Sequence, residues 1–72
     1  MGNDIEGQNQ YEKDLETTRH ILKGHQRQYQ TVRRPEWKEK YYENWVLAWE
    51  SFTEQFIEKG YDLDGIRDLS PT

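Results

Sequence analysis

Cysteine is absent from all 72 residues, which removes disulfide stapling, thiolate metal ligation and cysteine nucleophiles together. Proline occurs twice, glycine five times and methionine once, so the chain has little of the punctuation that divides a sequence into many short elements. No apolar run approaches the ~18–20 residues of a membrane span or the ~7–15 of a signal-peptide core. The expected setting is therefore cytoplasmic, with no membrane partner. The Met1-Gly2 start does not read as a myristoylation signal, because Glu6 stands where that motif needs Ser or Thr. Hydrophobic residues are scarce, at 32% against a usual ~45–50%, and the mean hydropathy is −1.30.

The apolar content that exists is concentrated in large rings. Three Trp, five Tyr and two Phe make up 14% of the chain, and each ring can bury roughly 150–250 Å². At about 100° per residue, Trp37, Tyr41, Trp45, Ala48, Trp49, Phe52 and Phe56 gather on one side of a helix. Glu36, Glu39, Glu43, Glu50, Glu54 and Glu58 gather opposite. A helix is expected over 35–59, with Pro35 in its first turn holding Arg34 extended and Gly60 supplying a left-handed residue past its end.

An earlier helix is expected over 9–33. Asn9 offers a cap, and Glu12, Asp14 and Glu16 lie near the positive end of the helix dipole. Tyr11, Leu15, Thr18, Leu22, His25, Tyr29 and Val32 step by fours and threes, a heptad-like seam. Gly24 admits two readings: a stop after Lys23, or a tolerated glycine inside a continuous helix at a cost of about 1 kcal/mol. The continuous helix is preferred. Residues 1–8 read as a flexible leader, residues 9–72 as a single helical domain, and the apolar spacing of Leu63, Ile66 and Leu69 as a short element over 62–69 ended by Ser70-Pro71. The fold class is all-α, an antiparallel helical hairpin with a short C-terminal helix or turn, assembling into a bundle.

The two long helices are unequal. With Tyr42, Val46 and Ile57 included, the apolar sector of the second spans roughly 200°, against a little over 100° for a helix packed on one neighbour. The thinner first helix cannot cover it, and a chain of this size buries only roughly 60% of its surface on folding. Residual aromatic surface of that kind marks an interaction site. The expected function is that of a small non-enzymatic protein-binding module, an adaptor, inhibitor or accessory subunit docking an aromatic helix face on a partner protein or on itself as a homo-oligomer. Tyr42, Trp45, Val46, Trp49, Thr53, Phe56 and Ile57 are the expected contact residues.

Charge is distributed unevenly. From Arg19 to Lys40, seven Lys or Arg face two glutamates, a local charge of +5, while the remainder carries three cations against twelve acids, or −9. Arg27, Arg33, Arg34 and Lys38 would lie at the hairpin turn, where they can steer encounter or contact phosphate. The alternative functional reading is nucleic-acid or phospho-ligand binding through this basic stretch at 19–40, or nucleic-acid mimicry by the glutamate row; a pI near 5.1 weighs against general nucleic-acid affinity.

Catalysis finds no constellation. Ser51 and Ser70 have no recognisable base beside them. His20 and His25 are five apart, about 140° around a helix, rather than the i,i+4 pair that shares a metal. Asp62 to Ile66 lacks the third acidic position and the closing glutamate of a calcium loop. No enzyme activity, cofactor or metal is expected.

Overall fold

The computed structural model describes residues 3–71, with side chains from residue 9 onward. Helix α1 spans Asn3–Thr31 and helix α2 spans Pro35–Glu58, and the two pack against each other as a hairpin. A single 3-10 turn, Arg67–Leu69, follows, and no strand occurs among the described residues. The expected helical hairpin is the observed fold.

The ends of α1 differ from expectation. Its helical backbone begins at Asn3 rather than at Asn9, so residues 3–8, read as leader, are helical; Met1 and Gly2 lie outside the described residues. No proline interrupts this stretch. Gly24 does not break the helix. Its Cβ position faces open space, so the missing side chain costs no packing and leaves only the weak intrinsic penalty. Thr31 ends α1 ahead of Arg33 because the chain must extend at Arg34, whose φ of −87° and ψ of 125° are those of a residue held by the following proline.

The end of α2 is closed by its backbone. Gly60 has φ +74°, its N–H donates to Ile57 carbonyl at 3.1 Å, and the Tyr61 N–H donates to Phe56 carbonyl at 2.8 Å. These two bonds are a Schellman closure, which satisfies carbonyls the helix leaves open. The apolar contact that accompanies such a closure is present too, with the Tyr61 and Phe56 rings edge to face at 5.3 Å.

The closure sends the chain back along the hairpin. Asp62 does not cap a helix; its Oδ1 accepts the Asp64 N–H at 3.0 Å, a local turn. The Ile66 N–H then donates to Leu63 carbonyl and the Leu69 N–H to Ile66 carbonyl. In a 3-10 turn, positions three apart eclipse. Ile66 and Leu69 therefore enter the groove between the helices together, joining Leu22, Trp45 and Phe56 in the core. Leu22 and Ile66 are fully enclosed. Every member of the α1 seam from Tyr11 to Val32 is buried or half-buried.

A buried polar contact helps to lock the returning segment. The indole Nε1–H of Trp45 donates to the Leu69 carbonyl at 2.9 Å in a buried position. We expect Trp45→Phe to cost about 1–3 kcal/mol, because the Leu69 carbonyl is left buried without its donor. Urea unfolding should show the loss, and amide exchange at Leu69 and Ser70 should accelerate. Gly60→Ala should cost about 1–2 kcal/mol through its left-handed backbone alone, since nothing lies within 4 Å of a Cβ there; an unchanged urea midpoint would refute this.

Candidate protein-docking face

The C-terminal segment changes which apolar groups remain outside. Of the seven expected contact residues, Trp45 and Phe56 belong to the core, with Trp45 6% and Phe56 2% exposed. They are unavailable as a surface because α1 and the returning segment close over them. Tyr42 and Trp49 are half-buried and pack against that core, while Val46 and Thr53 are half-buried. Ile57 stands 66% exposed.

Most of the rings expected at the surface are covered. Among the described aromatic residues only Trp37 stands exposed, at 43%. The strongly exposed apolar groups are instead aliphatic, Ile57 and Leu47, the latter 63% exposed. Leu47 lies two residues past Trp45, about 200° around the helix, in the row of glutamates. It was not among the expected contacts because its helical position falls on the glutamate side, outside the apolar sector. The available signal was a large aliphatic residue bracketed by Glu43 and Glu50.

On the outer surface of α2, Tyr42, Glu43, Val46, Leu47 and Glu50 surround a depression of about 390 Å³. Glu43, Val46, Leu47 and Glu50 are spaced i, i+3, i+4, i+7, the four-residue diamond into which a facing helix inserts a side chain. Val46 and Leu47 form its apolar middle, and the two glutamates form its ends. Val46, Thr53 and Ile57 continue along the helix in one row, with Glu54 alongside. None of Glu43, Glu50 and Glu54 makes an ion pair among the described residues.

Two groups of charged residues lie elsewhere. Arg27, Arg33, Arg34 and Lys38 are all exposed at the turn end, and no ion pair engages them among the described residues. Lys38 lies 5.1 Å from the Tyr29 ring centre and Lys40 lies 4.9 Å from that of Trp37, so these ammonium groups meet π-faces. The other group ties down the C-terminal segment. Arg19 grips Asp68 with two bonds of 2.7 and 3.1 Å and also donates to the Gly65 carbonyl. Asp14 Oδ2 accepts from Lys59 Nζ at 3.1 Å and from the Tyr61 hydroxyl at 3.0 Å.

No group of three or more metal-ligating side chains occurs among the described residues, and no helix there is long and apolar enough to cross a membrane. No protein-family model, curated protein or solved structure matches the chain.

The tie residues are shifted from their ordinary values by their partners and by burial. The Lys59 ammonium, aided by the Tyr61 and Gln10 donors, holds the Asp14 carboxyl below the ordinary 3.8, and the Arg19 guanidinium does the same to Asp68. Burial, followed by the Asp14 bond, pushes Tyr61 upward. For a carboxyl depressed in the folded state, stabilisation is complete above its unfolded value and is lost as pH falls through the lower folded value. The two carboxylate ties should thus persist at neutral pH and fail only in strong acid, below 3.8. Carboxyl titration by nuclear magnetic resonance should place both midpoints under that value, and Arg19→Met should return Asp68 toward it while leaving Asp14 unchanged.

Proposed function

We propose that this chain is a small non-enzymatic protein-binding module that docks the outer face of α2 on another protein. The observation carrying this reading is the outer face of α2, where Val46, Thr53 and Ile57 form one row with Leu47 beside it, and where Leu47 and Ile57 stand about two-thirds exposed on a chain otherwise poor in apolar residues. That the fold recruits its own C-terminal segment to cover Trp45 and Phe56 yet leaves Leu47 and Ile57 in water supports a contact outside the chain. The face is narrower than the aromatic sector read from the sequence, and aliphatic where that was aromatic. Arg27, Arg33, Arg34 and Lys38 lie at the turn, away from the row, where unpaired cations accelerate encounter with an acidic partner surface more than they add affinity.

Adaptor, inhibitor and accessory subunit all share this requirement. Phosphate or nucleic-acid binding at the turn would draw on the same cations, but Glu36 and Glu39 stand among them and the whole chain carries a net charge of −4, so that reading ranks second.

The test is the double variant Leu47→Glu, Ile57→Glu. Both sites are exposed, so folding stability should stay within about 0.5 kcal/mol and the helical circular dichroism should be unchanged. Association should be lost, measured as affinity capture from the source cells and as mass by light scattering. Capture and mass identical to the parent chain would defeat the proposal. Arg33→Ala with Arg34→Ala should leave capture intact at equilibrium and slow its onset.

A further inference from the structure

Resting on that reading, the charge and shape of the α2 face together define what it takes. The four-residue hole has Val46 and Leu47 at its centre and Glu43 and Glu50 at its two ends, and Glu54 extends the acidic border toward Ile57. Its carboxylates have no cation of this chain against them among the described residues. Lys38 and Lys40, the lysines of α2, are turned to the rings of Tyr29 and Trp37. We propose that the occupant is a basic amphipathic helix of a different protein, which inserts an apolar side chain between Val46 and Leu47 and sets Lys or Arg, one turn to either side, against Glu43 and Glu50.

A second copy of this chain fits the same row poorly. In an antiparallel pairing that sets Tyr42 against Ile57, Val46 meets Thr53 and the apolar positions match. The borders do not. Like flank faces like flank in such a pair, so Glu50 comes within one residue of its own copy along the axis and Glu43 within two of Glu54. Repulsion of that kind directly across an interface selects against a partner. A helix with cations in those places removes the repulsion and supplies the charges the border lacks. The expected homo-oligomer is therefore not the assembly this face favours.

The probe is a synthetic amphipathic helix of leucine–lysine heptads, with its glutamate-for-lysine counterpart as control, titrated against the full chain by fluorescence anisotropy. The lysine helix should bind and the glutamate helix should not. Glu43→Gln with Glu50→Gln should weaken binding by on the order of tenfold at low salt, with a smaller loss at high salt. Leu47→Ser should weaken it at both salt concentrations. Glu12→Gln with Glu16→Gln, which changes the net charge equally on α1, should leave it unaltered. Equal losses from the α1 and α2 pairs would show attraction to net charge alone and overturn the proposal, as would tight binding by the Leu47→Ser chain. A parent chain that is dimeric by light scattering and becomes monomeric with Leu47→Ser would also overturn it, while leaving the docking face itself in place. If neither peptide binding nor mass responds to Leu47→Ser, the docking face falls as well.

Discussion

Everything in this fold turns on the indole of Trp45. It stands where α1, α2 and the returning C-terminal segment meet, 6% exposed, with the Tyr29 and Tyr42 rings 5.8 and 6.4 Å away. Its single polar atom donates to the Leu69 carbonyl. A ring of this size contributes much of the apolar burial available to so short a chain, and a buried indole N–H needs an acceptor. Both requirements are met by one segment, because the backbone that brings Leu69 into the core also presents its carbonyl. Tertiary burial and the path of the last ten residues are thereby coupled.

A chain without cysteine must hold that segment by other means. The apolar part is Ile66 and Leu69, each contributing about 1.5–3 kcal/mol by leaving water. The polar part is two ties set at opposite ends of the segment, Asp14 with Lys59 and Tyr61 near its start and Arg19 with Asp68 near its finish. Ion pairs as exposed as these add little individually. Their value lies in register: with the entry and exit of the segment both placed, the eclipsed pair of Ile66 and Leu69 has one position along the groove.

The same arrangement divides the surface of α2. One side is consumed by the fold, and the opposite side keeps a glutamate border around Val46 and Leu47. Arg27, Arg33, Arg34 and Lys38 collect at the turn without ion pairs among the described residues, so this cationic end is set apart from the acidic border in a molecule that extends 53 Å by 18 Å by 14 Å. In the proposed docking, separated charge of this kind would orient approach, and the hole bordered by glutamate would select what stays.

Much of this architecture was legible in the residues. The period of the aromatic run, the thinner seam from Tyr11 to Val32, Pro35 and Gly60 determine a helical hairpin, because helix period, fixed φ and a left-handed closure are local properties carried by neighbouring positions. The spacing of Leu63, Ile66 and Leu69 likewise announced a short element. Where that element goes was decided by tertiary structure: a stretch of turns has no period that names its partner, and only packing shows that it covers Trp45 and Phe56. Thus two of the seven expected contacts became core, and Leu47, a leucine among glutamates, became the exposed centre of the candidate face. Sequence alone determined which positions share a side of each helix; the three-dimensional fold decided which of those sides is used up, since burial depends on segments far apart in the chain meeting in space.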